Sequence, residues 1–476
     1  MRVAASLGRL AGIVGGILPF RPCPADDWAD AVTLVRAGVG SVKLPAKRTM
    51  SSESRDRERK LWRRRTFLFS LLSMSFARRR ALSLELDDAK ESGAERGRKL
   101  SQAVHSAVGR GELAGGSLVV LHRGEAVVSE AFGFADLESR RPFTVDQLCY
   151  IASLTKPVVA TLFAILDHQG VVSLNDPIAK WLPEFRNIKV RGETAPAKPL
   201  LLWHLLCQRS GLPGNRDPGA IRSYRQLPAP GQAPSSRQGA EDRISFGQPA
   251  SLAEIVSGWA GGGLFAEPGT RFSWGSAGSL AAARVAEVAT GQGFEALTRE
   301  ILLDPLGMDH TTYRPSQSQL ERLPRSYLRT PEGLELEQRG APWIEKDGLI
   351  NPGGGLFSTT EDMGRFFLLH NQRGVVDGRR LVSEAALARL YSLPAALADQ
   401  SAPAVSYGRS QEEGPYGLGW NLAPDRSWVR HLGAIGSLGW VDLRVPCAGV
   451  FLSGTPWDGD KRIADELIEQ TRSTFS

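Results

Sequence analysis

The sequence predicts an α+β fold. Three observations carry it. Two strand-like runs, Ser117–Leu121 and Ala126–Ala131, flank a turn near the N-terminal side. Four more runs, Tyr416–Leu422, Trp428–His431, Gly439–Val445 and Ala448–Ser453, lie near the C-terminus. Helical patterns fill the stretch between them. Strands at both ends with helices between imply one antiparallel sheet, built from N- and C-terminal segments, flanked by helices and carrying an inserted helical lobe.

Each element has its own reason. Residues 94–110 place apolar side chains at helical spacing. His122-Arg123-Gly124-Glu125 is a hairpin turn signal between the first two strand runs. The apolar stretch Val158–Leu166 reads as a helix that ends near Gly170. Helical patterns return at Leu252–Trp259, Leu280–Thr290 and Phe294–Leu303, and residues 459–474 close the chain as an amphipathic helix. Residues 214–250 are rich in Pro, Gly, Ser, Arg and Gln and read as a long irregular insertion. Trp203, Trp259 and Trp420 are expected to pack the core.

The chain has 476 residues and a formal net charge of +7. The charge is uneven. Residues 1–83 hold 17 basic and 6 acidic residues, so the remainder is mildly acidic. The basic balance therefore gives no reason to expect a nucleic-acid partner. Within the extension, Arg63, Arg64 and Arg65 precede the short apolar run Phe67–Ala77, and Arg78-Arg79-Arg80 follows it. That pattern predicts an export signal over about 50–83, of the twin-arginine type, with Met50 an alternative start to Met1. The run is too short to span a bilayer, which takes about 20 apolar residues. The expectation is two parts: a basic extension over 1–83, and an exported, periplasmic domain over 84–476 without a stable transmembrane anchor. A basic tail lying on a membrane surface is the other reading of the extension.

The chemistry centres on Ser153-Leu154-Thr155-Lys156. Residues three apart on a helix share a face, with Cβ atoms about 5–6 Å apart. Among the 11 lysines, only Lys156 has Ser three positions before it. A buried Lys loses basicity and can serve as a base toward a neighbouring hydroxyl. A helix N-terminus adds N–H groups suited to a developing oxyanion. The 7 His include no H-E-x-x-H, so a zincin is excluded, and acyl transfer through a serine would require no metal or organic cofactor. Cys149, Cys207 and Cys447 lie among apolar residues and read as buried thiols, with one disulfide open if the chain is exported. Gly353-Gly354-Gly355 lacks a following Lys-Ser/Thr and is no phosphate cradle.

Further segments run in order from about 112 to 456. They are Tyr150–Pro157, Gly170–Phe185, Leu202–Pro213, Phe265–Gly278, Pro305–Met308, Asn351–Phe366, Tyr416–Trp420 and His431-Leu432-Gly433. Together they resemble the serine β-lactamase-related hydrolases: class C β-lactamases, D-alanyl-D-alanine carboxypeptidases and related esterases. The resemblance implies a β-lactamase/transpeptidase-like fold and acyl transfer through an acyl-enzyme. Ser153 would be the nucleophile and Lys156 its activator. His431-Leu432-Gly433 would be the third motif. The backbone N–H groups of Ser153 and Ala434 would form the oxyanion hole. The substrate would be a small molecule or peptide bearing an ester or amide, a cell-wall fragment included.

One departure stands out. Where the family carries Tyr-x-Asn, this sequence has Trp274-Gly275-Ser276. Indole donates a hydrogen bond but accepts no proton at neutral pH. Three outcomes are open. Lys156 acts as base alone, with Ser273 or Ser276 relaying a proton; another tyrosine (Tyr150, Tyr313 or Tyr416) enters the site; or catalysis is lost and the pocket only binds a peptide or cell-wall fragment.

Overall fold

The structure is a computed structural model. It describes residues 97–194, 197–215, 217, 251–337, 349–392, 415–457 and 461–475. The expected export signal, and most of the expected insertion, lie outside the described residues.

A helix, α1, covers residues 97–109. Strands β1 (Gly115–His122) and β2 (Glu125–Asp136) follow as a hairpin. Arg123 and Gly124 turn it with φ of 51° and 87°, the left-handed pair that a tight two-residue hairpin requires. β3 (Arg141–Pro142) pairs with the end of β2. After the helical middle come β4 (Asn421–Leu422), β5 (Trp428–Gly433), β6 (Ser437–Asp442) and β7 (Cys447–Ser453). The sheet order is β4-β5-β6-β7-β1-β2-β3. β1 and β7 are its centre, paired antiparallel from Gly116↔Ser453 to His122↔Cys447. The two ends of the chain thus complete one sheet, as expected from the sequence.

Both faces of that sheet are covered, which explains the nearly unbroken apolar runs in β1 and β7. Alternate residues point to opposite faces. Val119, Leu121, Val450 and Leu452 join the large core shared with the helical lobe. Leu118, Val120 and Phe451 join a second core under α1 and the C-terminal helix. The lobe contains α2 (Thr155–His168), α3 (Leu202–Leu206), α4 (Leu252–Gly262), α5 (Ala277–Thr290), α6 (Thr360–Asn371) and α7 (Glu384–Leu390). The chain closes with α8 (Arg462–Phe475). Trp203, Trp259 and Trp420 are all buried, as expected.

The structure corrects some boundaries. Tyr416–Leu422 is not a continuous strand. Gly419 takes φ of 80°, and the chain turns so that Tyr416 bridges Asn421. Phe294–Leu303 is not one regular helix; a short α-helix, Phe294–Thr298, widens into a π-turn over Arg299–Leu303. The thiols of Cys149, Cys207 and Cys447 are free and buried, so none of the three forms a disulfide. Among the described residues no helix is long and apolar enough to cross a membrane.

Candidate active site

Ser153 sits in a 3₁₀ turn, Ala152–Leu154, that runs directly into α2. The turn is fixed from several sides. Ile151 N donates to Leu356 O at 3.0 Å. Thr155 Oγ1 donates to Ala152 O at 2.7 Å and accepts from Leu356 N at 3.2 Å. Ser437 Oγ of β6 donates to Ile151 O at 2.7 Å. Ala152 is held at φ of 46°, a left-handed conformation that costs an L-residue roughly 1–2 kcal/mol. Such strain persists only where the surroundings over-determine it. Here it lifts the Ser153 side chain out of the core, half-buried, at the head of the helix.

Lys156 lies one helical turn on, as the spacing required. Its Nζ is 3.2 Å from Ser153 Oγ and donates to Gly353 O at 2.5 Å. The side chain is buried, and burial pushes its pKa down from 10.5 to about 7. Near neutral pH a substantial fraction is therefore a free amine with a lone pair beside the serine hydroxyl.

β5 brings in His431 and Gly433. A Cβ at Gly433 would lie 2.3 Å from Ile151 O and 2.1 Å from Ser437 Oγ, so only glycine lets the strand approach the serine turn. Ala434 begins the exposed turn that follows. His431 is fully buried. Its Nδ1 is 2.9 Å from Leu432 O, and its Nε2 is 3.1 Å from Tyr416 Oη. A carbonyl only accepts, so Nδ1 carries the proton and Nε2 accepts from the phenol.

Trp274 completes the constellation. Its ring stacks on His431 with centroids 5.6 Å apart and planes at 25°. Tyr416 meets it edge-on at 5.5 Å and 89°. Lys156 Nζ lies 4.7 Å from the Trp274 ring centroid. The loop carrying Trp274 is pinned by its backbone. Gln208 O accepts from Ser273 N at 2.8 Å, Gln208 Oε1 accepts from Gly275 N at 3.0 Å, and Trp274 O accepts from Asn215 N at 2.7 Å. Ser276 caps the start of α5 without a capping side-chain bond. It packs against Gly353, where an added Cβ would fall 2.7 Å from Ser276 Cβ.

The sequence-predicted residues Ser153, Lys156, Trp274, Ser276, His431 and Gly433 lie against one another by these contacts, and Ala434 follows Gly433 at the end of β5. Of the three candidate tyrosines, only Tyr416 joins them. Tyr150 packs on Phe357 at 5.0 Å, and Tyr313 is buried beside Phe294 at 6.5 Å. Sequence reasoning missed Gln208 and Asn351. Asn351 Oδ1 accepts from Gly353 N at 2.9 Å and so shapes the carbonyl that holds Lys156. Gln208 has a left-handed φ of 61°, which no sequence signal announces.

The Beta-lactamase family model matches residues 100–472, and the chain belongs to that family. A Mycobacterium tuberculosis protein of uncharacterised activity is 29% identical over 284 residues, covering 57% of this chain and 66% of its own. Esterase EstB of Burkholderia gladioli is 32% identical over 211 residues, covering 44% of this chain and 50% of EstB. The D-alanyl-D-alanine-carboxypeptidase/endopeptidase AmpH of Escherichia coli (strain K12) is 28% identical over 223 residues, 47% of this chain and 48% of AmpH. The chain thus spans between about half and two thirds of the length of these relatives. Among solved structures, EstCE1, a hydrolase with promiscuous acyltransferase activity, superposes with a TM-score of 0.63 at 19% identity. It covers 80% of this chain and 99% of EstCE1. The D-amino acid amidase of Ochrobactrum anthropi SV3 gives 0.56 at 21%, covering 80% and 99%. At these identities the likeness shows the fold.

Proposed function

We propose that the chain is a serine hydrolase that acts on an ester or amide through an acyl-enzyme at Ser153. One observation carries the reading: a buried Lys156 amine, its pKa brought to about 7 by burial, lies 3.2 Å from the Ser153 hydroxyl at a helix N-terminus. Neutral Lys156 takes the Oγ proton while Oγ attacks the carbonyl carbon. The carbonyl π-pair moves onto oxygen, where the N–H groups of Ser153 and Ala434 receive it. Collapse of that intermediate expels the alcohol or amine, protonated by the Lys156 ammonium. Water, deprotonated by the same amine, then releases the acid.

Relatives named esterase and D-alanyl-D-alanine-carboxypeptidase support a small-molecule or peptide substrate, cell-wall fragments included. We infer from the Arg-flanked apolar run at 67–77 that the enzyme is exported to the periplasm; the N-terminal residue of the mature protein checks this.

The test is intact-protein mass after incubation with a fluorophosphonate, beside Ser153→Ala. A single adduct in the wild type, absent from the variant, is expected. No adduct on folded wild-type protein would leave a pocket that only binds. Turnover of p-nitrophenyl esters, D-amino-acid amides and a chromogenic β-lactam then sorts the substrate class.

A further inference from the structure

Lys156 is an unusual buried cation. Burial disfavours its ammonium, and among the described residues no carboxylate charge offsets that cost. Yet the ammonium must form each time Ser153 loses its proton. Gly353 O is one group that receives it, at 2.5 Å. Besides Gly353 O and the Ser153 hydroxyl at 3.2 Å, the ring of Trp274 lies against Nζ, at 4.7 Å. An indole face attracts a cation electrostatically, and more strongly where water is excluded.

The ring is held for that contact. His431 stacks on it and Tyr416 abuts it edge-on. His431 is itself fixed as the Nδ1–H tautomer by Leu432 O and the Tyr416 hydroxyl. With both nitrogens hydrogen-bonded, His431 holds its ring plane against the indole. Other charged groups near this wall lie one layer out. Arg209 stands 6.0 Å from the Phe272 ring, and Asp217 binds Ser273 Oγ and Arg271.

We infer that Trp274, braced by His431 and Tyr416, stabilises the Lys156 ammonium electrostatically as Ser153 is deprotonated, without itself carrying a proton. The inference rests on the proposed hydrolase reading. In the step itself the Nζ lone pair takes the Oγ proton, and the O–H pair becomes the new bond to the substrate carbon. The charge then sits on Nζ, against the indole. Trp274 contacts a reacting atom; Tyr416 acts through His431 and is a positioning residue.

The experiment is the rate of fluorophosphonate labelling of Ser153 against pH, in wild type, Trp274→Leu, Trp274→Phe and Tyr416→Phe. Leucine keeps the site apolar while removing the ring. The ammonium loses stabilisation, so Lys156 becomes less basic. The acid limb of the profile should move to lower pH, by about 0.5 to 1 on the pH scale, and the plateau should fall several-fold. Trp274→Phe should shift the limb less, in the same direction. Tyr416→Phe should lower the plateau and leave the limb closer to wild type. If Trp274→Leu does not fold, Trp274→Phe carries the same test. Labelling in all variants with an unmoved acid limb would overturn this inference alone. An absence of wild-type labelling at every pH would overturn the hydrolase reading with it.

Discussion

Lys156 is 4% exposed, and the cost of keeping an amine there sets what single residues do at this site. Its folded pKa of about 7 lies below the unfolded value of 10.5. Between those two pH values the unfolded chain binds more protons, so stability rises with pH across that window and is lowest below pH 7. Every tenfold loss of proton affinity on folding is worth about 1.4 kcal/mol. Lys156→Met should therefore abolish labelling of Ser153, melt higher than wild type at pH 7, and lose the alkaline rise in stability. The lost bond to Gly353 O offsets part of the gain, by about 1–3 kcal/mol for a buried acceptor left alone. A lower melting temperature for Lys156→Met at pH 7 would refute this. Gly433→Ala should act in the other sense. Its methyl would meet Ile151 O and Ser437 Oγ, displacing β5 from the serine turn, so labelling should fall by roughly tenfold or more, the consequence of a misplaced reacting group. Much of this was legible. The three-residue spacing of Ser153 and Lys156 fixes a shared helix face whatever the tertiary fold. Trp274 announced itself by lacking a basic atom. Tyr416 could be named only as one of three tyrosines, because its bond to His431 depends on the turn between them. Gly353 O has no side chain to read.

At the scale of elements, a buried polar join links three helices behind the site. His370 of α6 pairs through Nδ1 with the Tyr391 hydroxyl at the end of α7. Its Nε2 lies 3.1 Å from Thr161 Oγ1 of α2. That hydroxyl donates its single proton to Pro157 O at 2.8 Å, so Nε2 must be the donor and Nδ1 the acceptor from the phenol. Burial pushes His370 down to about 3. The unfolded histidine, near 6.5, binds a proton that the folded one refuses, so stability should fall as pH drops from about 6.5 toward 3. The slope from one such group is at most about 1.4 kcal/mol per pH unit. His204, lowered to about 4 by burial, adds to it down to that pH. Urea midpoints from about pH 7 to pH 4 should show His370→Gln with a shallower acid loss than wild type; parallel curves would count against the assignment. Of these helices the sequence showed only α2, through its apolar stretch; α6, α7 and the join were not read from it, since Thr161, His370 and Tyr391 are far apart in the chain. Two-residue strands such as Cys149–Tyr150 against Phe357–Ser358 were equally unreadable, being too short to show alternation. Tyr416–Leu422 misled because the apolar residues around Gly417 and Gly419 mimic a strand while Gly419, at φ of 80°, turns it.

The whole molecule depends on closing one sheet from both ends of the chain, and α8 is the element that seals it. Ile463, Ala464, Leu467, Ile468 and Thr471 form its buried stripe, against the core containing Leu118, Leu438, Trp440 and Phe451. That stripe was visible in the sequence as an amphipathic period; the polar contacts that set its register were not. Asp442 of β6, with its side chain 3% exposed, accepts from Arg444 N and Val445 N at 2.8 Å through one oxygen. Its other oxygen accepts from Arg472 Nε of α8 at 3.0 Å, and Arg472 also donates to Ser427 Oγ at 2.9 Å. A second pair, Arg430 with Asp465, differs in that Asp465 is 57% exposed. Removing Arg472 leaves half of a buried carboxylate without a donor, a loss of roughly 1–3 kcal/mol or more for a charged group. Asp465 lies in solvent while Arg430 is buried, at 8% exposure, so removing Asp465 should cost about 1 kcal/mol or somewhat more. Arg472→Ala should therefore lower the urea midpoint more than Asp465→Asn, with an unchanged m-value. Neither should alter the rate at which Ser153 is labelled in folded protein near room temperature, because both contacts lie on the sheet face opposite the helical lobe. Equal midpoints for the two variants would mean that the apolar stripe alone holds α8, and a slower Ser153 in Arg472→Ala would mean that the latch reaches through β6 to Ser437 and the serine turn.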